Sequence, residues 1–308
     1  MHPRYPEEEG FVRVGAHRIF YRSLGRAVHG TVLVVHGGPS DHRYLACLAD
    51  LVPHGYRLVW FDQWGCGRSE RPSSFDGFTV ERAAEEVRDV ADALHLRSPH
   101  LFGHSWGGAL SLEAASRFPR RFRSLIVCGA FASDASFQRA MRLHVRSLPA
   151  SLRSPIERGE RTGRYEDPAY RRAIRRRRRE HSLGMRVLPF DIAVTEPSIN
   201  RPLLRAIYGE RPGLFSPATG ALSAWDVRPR LGAIDVPCLV MAGEQEAGRY
   251  TALELHRRLP GSRLRLVPGC AHLPFLQSRD RFMQTLLEFL ETPAVRAGRP
   301  RRSRTQRP

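Results

Sequence analysis

Lysine is absent from the 308 residues, so every cation other than histidine is an arginine. Arginine is nevertheless in excess: Lys+Arg 49 against Asp+Glu 31 gives a formal net charge of +18. A balance of that size directs attention to anionic partners such as nucleic acid. Much of it sits in Arg171 to Arg179 and in Arg296 to Pro308, and neither stretch interleaves aromatic rings with arginine as a base-stacking surface would. The pattern argues against nucleic acid and fits a chain that takes arginine wherever a cation is tolerated. The final Arg-, Pro- and Ser-rich stretch is expected to be disordered. Long apolar runs are missing too. The longest, Thr31 to Val35 and Pro237 to Ala242, are strand-sized, which excludes a transmembrane helix. Met1 to Gly10 is polar and acidic with no apolar signal-peptide region, so a cytoplasmic location is expected. The five cysteines (Cys47, Cys66, Cys128, Cys238 and Cys270) are widely spread without a CxxC pair. That spacing points to thiols, not to a disulfide or zinc framework.

What is present is an alternation of strand and helix. Phe11 to Leu24 alternates apolar and polar residues around Gly15 and predicts a hairpin. Thr31 to Val35 is a continuous β-branched run suited to a strand buried on both faces. A helical stretch near Tyr44 to Leu51 and a strand, Arg57 to Phe61, follow. Phe78 to Leu96 reads as a helix with Thr79 as N-cap. Then come an apolar run, His100 to Phe102, a helical stretch, Ala109 to Phe118, and a strand, Ser124 to Gly129. From about Ala132 to Trp225 strand signals vanish and arginine-rich helical stretches are broken by prolines. The rhythm returns with Pro237 to Ala242, the helix Thr251 to Leu259, the strand Arg263 to Val267 and the helix Arg279 to Leu290. The expectation is an α/β fold with a mostly parallel, doubly wound sheet and a helical cap inserted after the sixth strand. The parts would be a core over 1–131 and 226–293, a cap over 132–225 and a tail over 294–308.

One motif organises the chemistry. Gly103-His104-Ser105-Trp106-Gly107-Gly108 lies between a strand and a helix, the setting of a nucleophile elbow, where glycines two residues either side of the serine make room for a sharp turn. A serine hydroxyl is a poor nucleophile unless a base takes its proton and an acid orients that base. In the α/β-hydrolase chain order Ser, acid, His, each partner follows a strand. Glu244 and Glu246 follow Pro237 to Ala242, and Glu246 is chosen because it lies further past the strand, where the loop turns back. His272 follows Arg263 to Val267 and is the expected base. The oxyanion would be held by the backbone amides of Trp106 and Gly38, with Gly37 as the alternative donor. Asp62 and Arg68, in the loop Asp62 to Ser69, are expected to buttress the site.

His36-Gly37-Gly38-Pro39, Asp62-Gln63-Trp64-Gly65-Cys66-Gly67-Arg68-Ser69 and the serine motif together resemble the proline iminopeptidase family of α/β hydrolases, which includes the archaeal tricorn-interacting aminopeptidase. Arg164 to Tyr170 and Ala224-Trp225-Asp226-Val227 are similar to the family's cap segments. The resemblance implies an α/β-hydrolase core with a helical cap and no cofactor or metal. It also implies a short-peptide or other small-molecule substrate, opened through an acyl-enzyme. Family members hold the substrate's free amine with acidic side chains, and here those positions are Ala247 and Phe215. A pocket lined by them favours a neutral, apolar group, unless Glu166, Glu196 or Glu210 substitutes. The rivals are a non-catalytic ligand-binding relative and a basic nucleic-acid binder. Dehalogenase and epoxide-hydrolase chemistry require aspartate at the elbow.

Overall fold

Strands and helices alternate along the chain to build one eight-stranded sheet, seen in a computed structural model that describes residues 5–185 and 198–296. The hairpin is β1 (Glu7–Val14) and β2 (His17–Leu24), turning at Gly15 with φ +57°. Next come β3 (Gly30–Val35), β4 (Tyr56–Phe61), β5 (His100–His104) and β6 (Ser124–Cys128). The last two strands are β7 (Cys238–Gly243) and β8 (Arg263–Val267). The spatial order is β1-β2-β4-β3-β5-β6-β7-β8, with β1, β2 and β4 paired antiparallel and every pair from β4 to β8 parallel.

β3 shows why this sheet is covered on both sides. Leu33 and Val35 pack into one apolar cluster while Val32 and Val34 pack into another on the opposite face, as the two-residue period of a strand dictates. Burial of each such side chain is worth about 1.5–3 kcal/mol. Helices α1 (Val80–Ala93) and α2 (Trp106–Arg117) cover the first face. The second is covered by the 3₁₀ stretch His42–His54 and by the helix Arg279–Leu290. The stretch expected as a helix near Tyr44 is thus 3₁₀, and Pro53 near its end removes a donor and bars continuation.

Between β6 and β7 the chain leaves the sheet. Helices α3 (Asp134–Ser147), α4 (Ala150–Thr162), α5 (Pro168–Arg178) and α6 (Arg201–Tyr208) form the inserted cap. Its own small core joins Val145, Leu148, Leu152, Ile156, Tyr170 and Ala173. The excursion closes where Ser133 bridges Asp226 and the Val227 amide bonds Ala132 oxygen at 3.0 Å. Glu113 of α2, fully buried, secures the return: it accepts the Trp225 indole N–H at 2.8 Å and Arg230 at 2.7 Å. Helices α7 (Gly248–Arg258) and α8 (Arg279–Leu290) complete the alternation. All five cysteines are buried, and no disulfide forms among the described residues. There, no helix is long and apolar enough to cross a membrane. Of the tail over 294–308 expected to be disordered, 297–308 lies outside the described residues, whereas Ala294 to Arg296 complete a short helix, Pro293–Arg296, that buries Val295.

Candidate active site

Ser105 stands between β5 and α2 at φ +54°, ψ −119°, a backbone region that side chains rarely occupy. Such a residue stores about 1–3 kcal/mol of strain, which the surroundings must impose. They do so through close packing. A Cβ on Gly103 would lie 2.4 Å from the Gly107 carbonyl, and one on Gly107 would lie 2.2 Å from the Val35 carbonyl. The Ser105 amide is tied to the Cys128 carbonyl at 2.8 Å. The turn therefore cannot relax, and the hydroxyl is presented at the carboxyl end of β5.

His272 follows β8, and its Nδ1 meets Glu246 Oε2 in a short hydrogen bond. Glu246 is buried, and its other oxygen accepts the Gly243 amide at 3.2 Å. Glu244, the rival acid, is exposed and faces the Gly269 amide at 3.4 Å. Burial disfavours the charged imidazole of His272, but attraction and hydrogen bonding to Glu246 outweigh it, so its pKa is raised above the ordinary histidine value. Ser105, Glu246 and His272 all line one cavity of about 250 Å³, together with Phe131, Phe137 and Met141.

Gly38 has φ +49°, a conformation glycine adopts without strain, and a Cβ there would meet nothing within 4 Å. Neither its amide nor that of Trp106 has a hydrogen-bond acceptor among the described residues. The alternative donor, Gly37, needs correction. Its N–H is already given to the Tyr44 hydroxyl at 2.6 Å, so it is not available to a substrate oxygen. Gly37 instead permits close approach: a Cβ on it would lie 2.9 Å from that of Ser105.

Two supports of this loop were not foreseen. Gln63 accepts the Trp106 indole N–H at 3.0 Å, donates to the His36 carbonyl at 2.6 Å, and gives its backbone N–H to His36 Nε2 at 3.1 Å. It thereby joins the loop carrying Gly38 to the residue after the serine. Tyr44 accepts from Gly37 and donates to His104 Nδ1 at 2.9 Å, and His104 donates through Nε2 to the His272 carbonyl at 2.9 Å. Burial and the neighbouring His272 keep His104 neutral, with its pKa well below the usual range. Gln63 stood in a motif already quoted, but no short-range signal marks its bonds across 43 and 27 positions or that of Tyr44 across 60. Asp62 buttresses as expected, accepting the His42 amide at 3.0 Å, His42 Nδ1 at 2.7 Å and the Arg68 amide at 2.9 Å. Arg68 contributes through its backbone, since its guanidinium lies over Phe20 and pairs with Glu9 at 3.0 Å.

Of the two residues that the resemblance set at amine-anchoring positions, Ala247 lines the cavity. Phe215 does not: Glu160 captures the amides of Leu214 at 2.6 Å and Phe215 at 3.0 Å, which holds that loop against the cap's own core beside Tyr165. Neither substitute acid in view reaches the cavity. Glu210 is exposed and pairs with Arg205 at 2.9 Å, and Glu166 is exposed and pairs with Arg171. Glu196 lies outside the described residues. The cavity does hold a side chain that composition had merged into a charge run, the buried Arg177. No three metal-ligating side chains cluster among the described residues.

A serine on a strained strand-to-helix turn, sharing a cavity with a histidine–carboxylate pair in a sheet that carries an inserted helical cap, defines an α/β hydrolase. A family model described as the alpha/beta hydrolase fold accordingly matches residues 30–278. The proline iminopeptidase of Thermoplasma volcanium is 30% identical over 92% of this chain and 97% of its own. That of Saccharolobus solfataricus is 28% identical over 92% of each chain. The crystal structure of proline iminopeptidase from Mycobacterium smegmatis superposes with a TM-score of 0.86 at 28% identity, covering 94% of this chain and 100% of that one. The chain belongs to the proline iminopeptidase family of α/β hydrolases and is an enzyme of the hydrolase class.

Proposed function

We propose that this chain is a cofactor-independent serine hydrolase that opens an amide or ester bond through an acyl-enzyme, on substrates with an apolar acyl part instead of a free terminal amine. Ser105 Oγ attacks the substrate carbonyl carbon while His272 Nε2 takes the hydroxyl proton. Glu246 holds the imidazole in the tautomer that can accept it and balances the imidazolium that forms. The amides of Gly38 and Trp106 bind the oxyanion. His272 then returns the proton to the departing nitrogen or oxygen as that bond breaks. Water, activated by the same histidine, frees the acyl group and restores Ser105.

The observation that carries this reading is the meeting of Ser105 with the His272–Glu246 pair in one cavity. The substrate preference rests on what else lines it. Glu246 is the one carboxylate among the described lining residues, and His272 already engages it. An ammonium brought into such a site without an acidic partner meets a desolvation cost of several kcal/mol. The relatives named proline iminopeptidase favour the other substrate class, N-terminal residue release, so the test sets the two side by side. Turnover of proline and alanine p-nitroanilides with free amines is compared with that of N-acylated anilides and p-nitrophenyl acyl esters. Blocked or amine-free substrates should be preferred and Ser105→Ala should be inactive. Preference for free amines would overturn the substrate reading, and unchanged turnover in Ser105→Ala would overturn the mechanism.

A further inference from the structure

Seven arginines crowd the end of α5 and the residue after it, and six of them (Arg171, Arg172, Arg175, Arg176, Arg178 and Arg179) face solvent. Arg177 turns inward. With Tyr170 and Ala173 it forms the buried stripe of the helix, three and seven residues on, where an apolar side chain would be expected. It is 8% exposed, and its Nε has no hydrogen-bond partner among the described residues. No ion pair reaches it there either. Burial alone pushes its pKa down to about 10, so it remains a full cation at neutral pH. The chain continues from α5 in a π-helical turn, Arg179–Leu183, whose His181 and Ser182 line the same cavity. The Ser182 carbonyl accepts the His272 amide at 3.0 Å, which seats this corner directly over the base. The neighbouring His144 is held neutral, its pKa pushed down to about 3 by burial and then by Arg177, and its Nε2 is likewise unpartnered among the described residues. Arg177 is therefore the one full positive charge among the described residues lining the cavity.

A buried, unpaired guanidinium is costly, and native structures retain such a group where something binds it. We propose that Arg177 is a substrate-binding residue and that the substrate carries a carboxylate, which the planar guanidinium receives inside this cavity. The inference deepens the serine-hydrolase reading by naming the substrate class, and rests on that reading for the reaction though not for binding. The carboxylate can sit on the leaving group, which keeps the acyl part apolar, or on the acyl part, in which case it replaces the apolar acyl group of the substrate reading and leaves the serine-hydrolase reading intact. A cavity of about 250 Å³ limits the enclosed part to a short chain.

Two matched ester pairs distinguish these positions. On the acyl side, p-nitrophenyl hemiglutarate is compared with p-nitrophenyl pentanoate; on the leaving side, 4-acetoxybenzoate is compared with its methyl ester. In one pair the acidic ester should have a kcat/KM higher by about 10- to 100-fold, the range of a charge-assisted hydrogen-bonded contact. Arg177→Met should erase that ratio and Arg177→Lys should keep part of it. Arg177→Met should melt at or above the wild-type temperature, because it removes an unpaired buried cation. If that variant fails to fold, the wild-type ratio and its change in Arg177→Lys decide the matter. Binding is read separately by calorimetry, with glutarate on Ser105→Ala and on Ser105→Ala/Arg177→Met. Binding that vanishes in the double variant supports the carboxylate site even if no ester is turned over, in which case only the reaction fails. Ester ratios near one in both pairs, glutarate binding indifferent to Arg177, or tighter binding of inorganic phosphate would each overturn the proposal.

Discussion

Replacing Glu246 by glutamine removes one negative charge while keeping the side chain's length, and the structure allows the consequence to be sized. Glu246 is 3% exposed and bonds His272 Nδ1 directly. At an effective dielectric near 20, opposite charges about 4 Å apart attract by about 4 kcal/mol. That attraction is fully present only when His272 is an imidazolium, which is the state it reaches as Ser105 gives up its proton. Losing it should lower kcat by about 10³-fold, at about 1.4 kcal/mol per decade. The tautomer adds to the loss. A glutamine amide can donate to Nδ1 and leave the proton on Nε2, the nitrogen that must accept from Ser105. The assay is kcat and KM on a p-nitrophenyl ester across pH 5–9, with Glu244→Gln as control. In the wild type, kcat/KM should rise with pH through the raised pKa of His272, because only the neutral imidazole is a base. In Glu246→Gln the residual activity should titrate at lower pH, since the interaction raising that pKa is gone. Among the described residues the exposed Glu244 side chain accepts a hydrogen bond from the Gly269 amide alone, so its variant should stay within about twofold of wild type. A loss below about tenfold in Glu246→Gln, or an equal loss in Glu244→Gln, would refute the assignment of the acid.

Two further perturbations test the frame around the serine. Gln63→Leu strips the Trp106 indole and the His36 carbonyl of their buried partners, so denaturant unfolding should show a loss of about 2–4 kcal/mol and kcat should fall more than KM changes. Unchanged stability would mean that the loop carrying Gly38 does not depend on this bridge. The second concerns Asp62: burial alone would raise its pKa, but bonding to His42 wins and holds it at about 2. A depressed carboxylate contributes stability that is present above its unfolded pKa, about 3.9, and disappears as pH falls through about 2. Asp62→Asn should therefore flatten the acid limb of melting temperature against pH over that window, and an unaltered limb would show that the Asp62–His42 pair is not what acid breaks.

Whatever depends on neighbours in the chain was legible without a structure. β3 was clear because a strand covered on both faces shows an unbroken apolar run, and Thr79 was clear because its hydroxyl caps a helix at the Arg82 amide, 3.2 Å away. The helix after Ser105 was placed three residues late, at Ala109 instead of Trp106. Gly107 and Gly108 hide its start, since glycine disfavours helix, yet Val35 and Ala130 press so closely that no side chain fits. That Glu246 and His272 would meet was legible from chain order alone, because each follows the end of a strand. Phe215 was misplaced for the opposite reason. The resemblance gives a position in sequence, whereas Glu160, 55 residues earlier, decides where that loop goes. Gln63, Tyr44 and Arg177 escaped because a long-range bond leaves no local period.

The catalytic spine and the pocket are therefore set by different parts of the chain, and they can change independently. Ser105, Glu246 and His272 hang from the ends of β5, β7 and β8, where the sheet tolerates little displacement. Much of the remaining lining of the cavity comes from α3, α5, the turn after it and α6, all inserted between β6 and β7. A substitution on a cap helix can thus reverse the charge preference of the pocket without moving a triad atom. Under the carboxylate proposal Arg177 on α5 is such a residue, while Ala247, in the loop after β7, brings no carboxylate to the same cavity. A family name inherited through the sheet then says how the bond is broken, and the cap says which bond.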